Sequence, residues 1–445
     1  MNKPDLSALR ARFAALSRML DGRPCVFADA PGGTQVPETV IEAMASYLRT
    51  SNANAHGAFI TSAETDRLIE DAHRAGADLL GCDAEEVVFG PNATTLLFAL
   101  SRSIARTLGP GDEIVVTRLD HDANIRPWLM AAEDTGATVR WVDVRDDDVT
   151  FDLDSFEEAL TDRTRIVAFT LASNAVGTVT HAADLAGMAH EAGALAVCDG
   201  VHLAQHRLMD VGAIGADVVV CSPYKMFGPH LGILFARRDL LESWRPYKVR
   251  PASEGLPHRW ETGTQNHEGF AGFLAAVDYL ADVGRTHANP SGRRRRDAIA
   301  AAFEAIGAHE ADLSRRFLDG LGGIDELRLY GIAGTGRVAE RTPDVRRSRR
   351  RPTSVRDGQA PRGTRDLRVG RSLLRPRAHG AAGAPGVRWG GPGRVLPLQH
   401  RRGGRPGPRR AGVACVASRA PVGWPNDRFP QVGGRVEWPG SRTQT

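Results

Sequence analysis

Short apolar runs recur between residues 86 and 235 and alternate with longer stretches in which the apolar residues have helical spacing. Several of these runs are apolar without interruption, as in strands that are buried on both faces. We predict strands at Glu86–Phe89, Glu113–Thr117, Thr138–Val144, Arg165–Thr170, Leu195–Cys198, Val218–Cys221 and Ile233–Phe235. The alternation predicts an α/β fold, with a mostly parallel seven-stranded sheet and helices on both faces.

Helices are predicted between these strands and on either side of them. Those between the strands are Thr94–Thr107, Ile125–Thr135, Leu153–Leu160 and Ala182–Ala192. Before the first strand we expect helices over Asp5–Leu20 and Pro37–Leu48, separated by a Gly/Pro loop at Ala30–Thr34. After the last strand, an apolar helix over Gly269–Val283 precedes a long amphipathic helix over Arg293–Leu321. The long helix is expected to open a second domain.

These patterns divide the chain into four parts. Residues 1–50 form an N-terminal segment, and residues 51–285 form the large domain. Residues 286–342 begin a small C-terminal α+β domain that is truncated or scrambled, because residues 343–445 are an Arg/Gly/Pro-rich tail.

The tail differs from the rest of the chain in charge as well as in pattern. It contains 23 Arg, no Lys and 5 Asp or Glu, so it carries a net charge of +18, whereas the remaining chain carries −14. No apolar period continues through it, and such a segment cannot bury enough surface to fold. One interpretation is a disordered basic tail that binds nucleic acid nonspecifically by neutralising phosphates.

The other interpretation is that a GC-rich gene has been translated in the wrong frame beyond about Pro343. The genetic code allows residues 390–407 to be reverse-translated and then read one base later. Permitted codons then give a strand with an Arg-x-Gly sequence, a Tyr-Asn-Thr turn and a capped helix start. The printed segment has no such pattern, so we favour a frame-shifted tail.

Membrane, disulfide and metal-binding classes are not favoured by the composition. No run of eighteen apolar residues occurs, and the N-terminus lacks a signal-peptide pattern, which predicts a cytoplasmic protein with no membrane partner. The cysteines are widely spaced and include no C-x-x-C pair: Cys25, Cys82, Cys198, Cys221 and Cys415. This spacing argues against a zinc site and a disulfide framework, and we predict no metal.

Lys225 lies between two of the predicted core strands. It is one of three lysines in a chain that is rich in arginine, the others being Lys3 and Lys248. Only an amine can lose its proton and form an imine, which a guanidinium cannot do. We therefore interpret Lys225 as a Schiff-base lysine, the alternative being an ordinary surface lysine on a loop.

Asp199 follows the strand Leu195–Cys198, at the sheet edge where α/β proteins bind ligands. A carboxylate there can keep a pyridine nitrogen protonated and so make the ring an electron sink. Alone, such an aspartate is as often a loop cap. Together with an imine-forming lysine one or two strands away, it is a much more specific signal for such a site.

Other polar residues are expected at the same edge. Thr94 and Thr95 open an apolar helix whose N-terminal N–H groups suit a phosphate, and Ser222 offers a further donor. His121 follows the second strand and is able to stack on an aromatic cofactor, while Asn174 follows the fourth and is able to donate to a ring substituent. Each of these residues alone is more often an ordinary cap or loop residue.

Several motifs of the chain together resemble those of a known family. The residues that carry the resemblance lie in order along the chain at Asp120–Trp128, Ser173–Thr178, Asp199–His202, Ser222–Pro229 and Glu261–Asn266. Residues 20–340 resemble the fold-type I pyridoxal-phosphate enzymes of aminotransferase class V, in the cysteine desulfurase and selenocysteine lyase branch. Asn52–Phe59 is similar to the subgroup of cysteine desulfurase-like proteins.

The resemblance implies a role for each of these positions. Lys225 would form the internal aldimine and move the substrate α-proton, and Asp199 would pair with the pyridine nitrogen. His121 would stack on the ring, and Asn174 would lie near its hydroxyl. Residues implied to hold the phosphate are Thr94, Thr95, Ser222 and, across a homodimer interface, Thr264. His202 stands where desulfurases usually carry glutamine beside the ring oxygen.

The chain departs from the family in two ways. A desulfurase needs a mobile C-terminal cysteine to accept sulfur, and the candidate here, Cys415, lies in the tail without a family context. The arginine that binds the substrate carboxylate appears only in the shifted frame. The printed chain is therefore expected to bind the cofactor poorly or to turn over little, whereas a frame-corrected chain would be active.

The function predicted from the sequence is that of a pyridoxal 5′-phosphate enzyme that acts on a small amino acid through a Cα carbanion. Deprotonation at Cα can lead to desulfuration, elimination, transamination or racemisation, and the sequence does not distinguish them. The alternatives are an epimerase of the isopenicillin-N type, a catalytically impaired cofactor-binding protein and, from another class, a nucleic-acid-binding protein that uses the tail.

Overall fold

A seven-stranded β-sheet is the centre of the structure. The structure is a computed structural model, which describes residues 6–288, 292–324 and 327–349. The strands in chain order are β1 Met19–Leu20, β2 Arg23–Pro24, β3 Val87–Gly90, β4 Glu113–Thr117, β5 Thr138–Val142, β6 Thr164–Thr170, β7 Leu195–Asp199, β8 Val218–Cys221, β9 Gly232–Ala236, β10 Leu327–Tyr330 and β11 Arg346–Arg349.

Helices surround the sheet and extend beyond it in the chain. In chain order they are α1 Leu6–Arg10, α2 Glu38–Thr50, α3 Ile60–Leu80, α4 Ala93–Ile104, α5 Arg126–Thr135, α6 Leu153–Ala159, α7 Ala182–Glu191, α8 Val211–Ile214, α9 Arg238–Ser243, α10 His267–His287 and α11 Arg295–Gly322. Within the described ranges, no helix is both long enough and apolar enough to cross a membrane.

The strands of the central sheet lie in the order β3-β9-β8-β7-β6-β4-β5. Strand β9 runs antiparallel to both of its neighbours, and the other pairs in the sheet are parallel. All seven predicted strands are present, and the prediction of a mostly parallel sheet is confirmed. The carboxyl ends of β3, β4, β6, β7 and β8 consequently meet at one edge.

Both faces of the sheet are buried. Phe89, Phe169 and Phe270 belong to the core on one face, and Leu97 and Trp128 belong to the core on the other. Because successive strand residues point to opposite faces, a strand covered by helices on both sides buries every side chain, and apolar residues are favoured at every position. This burial explains the uninterrupted apolar runs in the sequence.

The helix predicted over Asp5–Leu20 is wrong beyond Arg10. A short 3-10 helix, Ala14–Ser17, and then a hairpin of two-residue strands, β1–β2, follow instead, and the turn residues Asp21 and Gly22 have φ values of 49° and 74°. An Asp-Gly pair favours this hairpin turn because both positions need a positive φ. The long helix α3 was not predicted as a separate element, whereas the predicted helices near 37–48, 269–283 and 293–321 correspond to α2, α10 and α11.

Helices α10 and α11 pack closely against each other where the second domain is predicted to begin. A Cβ added to Gly284 of α10 would lie 1.8 Å from the carbonyl oxygen of Ala298 in α11, so glycine permits this approach. The division into a large and a small domain stays a prediction. Residues 343–349 of the predicted tail are described and include β11, which pairs with β10. The remainder of the tail lies outside the described residues.

Glu261 joins three parts of the fold. Its Oε1 accepts hydrogen bonds from the Phe89 N–H of β3 (2.8 Å) and from His73 Nε2 of α3 (2.9 Å), and His258 Nδ1 is 3.2 Å from Oε2. Burial alone would raise the pKa of Glu261, but the charge of His73 and the hydrogen bonds from His258, His73 and Phe89 outweigh it and lower the pKa to about 2. The ionised carboxylate therefore stabilises the folded state.

Replacing Glu261 with Gln should lower the free energy of unfolding by about 3–5 kcal/mol at neutral pH, because the variant leaves a buried ion-pair partner unmatched. Since the folded-state pKa lies below the usual 4.5, this contribution is complete above that value and is lost as the pH falls towards about 2. Urea unfolding at neutral pH and at about pH 3 measures both effects.

Glu254 provides the control, because its ion pair with Lys248 is exposed on the Glu254 side. Glu254→Gln should cost less than about 1 kcal/mol. An equally small effect for Glu261→Gln, or an effect that does not shrink in acid, would contradict the interpretation.

Candidate active site

One cavity opens at the edge where the carboxyl ends of the strands meet. Its empty volume is about 550 Å³, including space open to solvent. The turns after β3, β4, β6, β7 and β8 all contribute to its lining. The predicted site residues that line it are Thr94, His121, Asn174, Asp199, His202, Ser222 and Lys225.

Lys225 is buried in the cavity wall, with 5% of its surface exposed. It ends a short 3-10 turn, Pro223–Lys225, which is held by Thr34: the Phe227 N–H donates to Thr34 Oγ1 (2.8 Å), and the Thr34 N–H donates to the Tyr224 carbonyl (3.0 Å). Among the described residues, its Nζ has no hydrogen-bond or ion-pair acceptor and lies 5.9 Å from the centre of the Tyr224 ring. Within the described structure, the amine is therefore available to a ligand in the cavity.

Burial lowers the pKa of Lys225, and the charges of Asp199 and Asp344 offset this only in part. A lowered pKa increases the fraction of the neutral amine, which is the form that attacks a carbonyl and accepts a proton. The lysine is therefore adapted to nucleophilic and base chemistry.

Asp199 is the last residue of β7 and is 5% exposed. Its Oδ1 accepts a hydrogen bond from the Val201 N–H (2.8 Å), whereas in the described part of the chain Oδ2 has no hydrogen-bond partner. Burial raises the pKa of Asp199, against the lowering effects of the Val201 hydrogen bond and of the charges of His121 and Lys225. A cationic N–H placed in the cavity would complete its interactions and favour the carboxylate.

Asp120 fixes the turn that carries His121. Its carboxylate accepts hydrogen bonds from the Thr117 hydroxyl, from Asn124 Nδ2 (2.7 Å) and from the Thr170 N–H of β6 (3.0 Å). Burial raises the pKa of Asp120 to about 8, although these hydrogen bonds lower it. Sequence analysis did not assign a role to Asp120, even though it begins the segment Asp120–Trp128.

The N-terminus of α4 meets the cavity at Thr94. Asn92 caps the helix through a hydrogen bond from the Thr95 N–H to Asn92 Oδ1 (2.8 Å), while the N–H groups of Ala93 and Thr94 precede any intrahelical bond. Gly232 lets β9 approach this turn, since an added Cβ would lie 2.4 Å from the Asn92 carbonyl carbon. The free N–H groups and the positive end of the helix dipole favour an anion here.

His202 faces protein groups as well as the cavity. Its Nε2 is 2.8 Å from Asp344 Oδ2, and its Nδ1 is 3.3 Å from Gln205 Nε2. Asp344 is in place because residues 341–344 return to the sheet: the Thr342 N–H donates to the Gly177 carbonyl (2.8 Å). Gly177 has a φ of 79°, and an added Cβ would lie 2.8 Å from the Asp344 carbonyl oxygen.

Two predicted site residues do not line the cavity. Thr95 and Thr264 are both exposed, and the backbone N–H of Thr95 is taken by Asn92. Tyr224 lines the cavity and was missed, although it stands next to Lys225 in the motif. Asp344 was also missed, because nothing in its local sequence indicates that the chain returns to the sheet there.

The chain is similar in sequence to a known protein family and to several of its members. The family described as Aminotransferase class-V matches residues 26–339. The chain is 34% identical to a cysteine desulfurase of Haloferax volcanii over 361 residues, covering 75% of this chain and 80% of that protein. It is 33% identical to a cysteine desulfurase of Synechococcus elongatus over 344 residues, covering 74% of this chain and 52% of that longer protein.

Solved structures show the same fold. The apo structure of a cysteine desulfurase from Thermococcus onnurineus superposes with a TM-score of 0.67 at 23% identity, covering 78% of this chain and 82% of that one. A cysteine desulfurase from Escherichia coli superposes with a TM-score of 0.62 at 27% identity, covering 75% and 82%. The predicted fold class is confirmed, and the family match over residues 26–339 establishes that this chain belongs to the aminotransferase class-V family.

Proposed function

We propose that this chain is a pyridoxal 5′-phosphate-dependent enzyme of the cysteine desulfurase-like type, acting at the Cα of a small amino acid. The observation that carries the proposal is that Lys225 and Asp199 line the same cavity. The lysine has no acceptor and the aspartate keeps one oxygen free among the described residues. Family membership and the relatives named as cysteine desulfurases support the same conclusion.

The residues around the cavity fit this cofactor. Its aldehyde would meet the amine of Lys225, and its pyridine nitrogen would meet Asp199 Oδ2. The phosphate would lie at the N-terminus of α4 with Thr94 and Ser222. His121 accepts a hydrogen bond from the Ala123 N–H through Nδ1 (3.1 Å), which fixes the ring beside the cavity. Asn174 would approach the ring hydroxyl.

Three of the residues that were predicted to contact the cofactor are treated separately. We leave His202 out of the polar contacts to the cofactor, since both of its ring nitrogens face protein groups. Thr264 keeps its predicted place at the phosphate of a partner subunit in a homodimer, and Thr95 stays a predicted phosphate residue.

When bound, the cofactor supplies an electron sink for the carbanion at the substrate Cα. Lys225 accepts the α-proton on Nζ, and its lowered pKa keeps part of the population able to do so. Asp199 would hold a proton on the ring nitrogen of a bound cofactor through an ionic hydrogen bond, which is strong in a buried setting. Asp120 keeps the turn of His121 against β6.

Completion of a desulfuration needs a thiolate that accepts sulfur. In the described part of the chain the cysteines are Cys25, Cys82, Cys198 and Cys221, and none of them lines the cavity. Burial raises the pKa of Cys198 and Cys221, which keeps both thiols protonated and unreactive. Cys415 lies outside the described residues. The proposal therefore covers Cα deprotonation, with desulfuration, elimination, transamination and epimerisation as the outcomes that an assay has to distinguish.

An assay of the printed chain and of a frame-corrected chain tests the function. Both proteins would be incubated with the cofactor and with cysteine or alanine in deuterated water, and exchange of the α-proton would be measured together with sulfide, pyruvate and racemised product. We expect exchange with at least one substrate, and faster exchange in the corrected chain. Absence of exchange in both would overturn the proposal, and equal rates would refute impairment of the printed chain.

Replacing Lys225 with Ala should abolish covalent attachment of the cofactor. In the unaltered protein loaded with cofactor, borohydride reduction is expected to leave a pyridoxyl group on the peptide that contains Lys225, and in the variant it should leave none. Peptide mass spectrometry measures both. The rate of α-proton exchange should fall by about 10²–10⁴-fold, the usual contribution of a general base.

Lys248→Ala is the matched control, because that lysine is also largely buried but forms an ion pair with Glu254 at 2.7 Å. The control should keep both the adduct and the exchange rate. An adduct that remains in Lys225→Ala, or one that moves to Lys248, would contradict the assignment.

Asp199→Asn should weaken catalysis more than binding. The amide cannot carry the charge that holds the ring nitrogen protonated, so kcat should fall by about 10²-fold or more while KM changes little. The absorption spectrum of the bound cofactor should change with it. An unaltered kcat and spectrum would show that Asp199 does not face the ring nitrogen.

A further inference from the structure

Two imidazoles and a carboxylate lie close together next to the cavity, and one of the imidazoles, His202, lines it. One potential ligand atom from each of His202, His206 and Asp344 lies within 4.8 Å of the other two. Asp344 Oδ2 is 2.8 Å from His202 Nε2 and 3.5 Å from His206 Nε2. The side chains of the two histidines are only 3% and 6% exposed. The group is therefore screened from bulk water.

His206 contributes a buried nitrogen that makes no hydrogen bond. Its Nδ1 lies 2.9 Å and 3.0 Å from the two carboxylate oxygens of Glu310 on α11, so it donates its proton there. Its Nε2 is buried and, among the described residues, has no hydrogen-bond partner, although Asp344 Oδ2 lies 3.5 Å away. A metal ion between these two atoms would take the place of a proton on Nε2 and would bind both groups.

We propose that His202, His206 and Asp344 form a binding site for a divalent transition-metal ion, and that Zn²⁺ fits it best. Zinc binds imidazole nitrogen and carboxylate oxygen at about 2.0–2.2 Å in tetrahedral geometry, which sets neighbouring ligand atoms about 3.3 Å apart. The observed separations of 2.8 Å and 3.5 Å lie on either side of that value. The third separation, between the two imidazoles, is within 4.8 Å, and side-chain adjustment would bring the three atoms around one ion.

The surroundings of the group match those of known zinc sites. Histidine ligands usually donate their second ring N–H to a carboxylate, and Glu310 accepts from His206 in this way. For the other ring, the Gln205 amide nitrogen lies 3.3 Å from His202 Nδ1, and its side-chain amide would turn over so that the oxygen accepts from that nitrogen. Three protein ligands leave a fourth position for water or a ligand. Because His202 lines the cavity, that position is near the proposed substrate.

A second group of similar composition, His73, His258 and Glu261, serves as an internal comparison. There Glu261 already accepts hydrogen bonds from His73 and from the Phe89 N–H, and His73 Nδ1 faces the Ile69 carbonyl at 2.7 Å. Both ring nitrogens of His73 have hydrogen-bond partners, and no buried nitrogen of this group is without one, in contrast to His206 Nε2. We therefore assign no metal to this second group.

Zinc binding to the full chain without an affinity tag tests the proposal. The protein would be dialysed against a chelator, and Zn²⁺ would then be titrated calorimetrically with and without the cofactor. We expect one ion per chain. X-ray absorption at the zinc edge should show two imidazoles and a carboxylate oxygen. This measurement uses the unaltered chain and does not depend on whether a variant folds.

Substitutions locate the site. His206→Ala and Asp344→Asn should each weaken zinc binding by at least about 100-fold, and Glu310→Gln by about 10–100-fold. His258→Gln, in the comparison group, should leave the affinity unchanged. Zinc that binds equally well to His206→Ala and Asp344→Asn, loss of binding in His258→Gln, fewer than two imidazoles in the absorption spectrum, or no binding at all would overturn the proposal. None of these outcomes depends on catalytic activity.

Discussion

The central constraint on this molecule is that a buried amine and a buried carboxylate line the same open cavity. Lys225 and Asp199 are each 5% exposed, yet in the described structure neither satisfies the other through a direct hydrogen bond or ion pair. Isolated charges are costly to bury, and proteins usually pair them. Asp199 is held by the hydrogen bond from the Val201 N–H, and the turn of Lys225 is held by Thr34. The remaining carboxylate oxygen and the amine are left for a ligand in the cavity.

The sheet makes this arrangement possible. Parallel strands bring their carboxyl ends to one edge, and the turns after β3, β4, β6, β7 and β8 supply the polar residues of the cavity. Local contacts fix three of these turns: the capping Asn92, the carboxylate of Asp120 and the hydroxyl of Thr34. The catalytic groups are thus positioned by strand ends that are buried on both faces, and the tight packing around those strands limits their movement.

The sequence was sufficient to predict the sheet and most of the cavity wall, for a physical reason. Strands buried on both faces must be apolar throughout, so Val218–Cys221 and its neighbours are visible as runs, and the residues that follow them are placed by topology alone. The approach of Asp344 to His202 was not predictable, because it depends on the path of the chain after α11. The hairpin at Asp21 and Gly22 was missed even though its turn signal was present, since the apolar spacing before it also suited a helix.

The docking of residues 341–344 has a consequence for how the wall of the cavity can change. The Thr342 N–H donates to the Gly177 carbonyl, and the Asp344 carbonyl approaches Gly177 so closely that a side chain there would collide with it. The buried side chains of Arg341 and Thr342 add to this attachment, since the Arg341 guanidinium donates to the Ile332, Thr342 and Asp344 carbonyls and the Thr342 hydroxyl donates to the Gly177 carbonyl. A substitution at position 344 therefore exchanges the chemical group presented to His202 while residues 341 and 342 keep the backbone in place, so the chemistry of this short segment can vary separately from its anchorage.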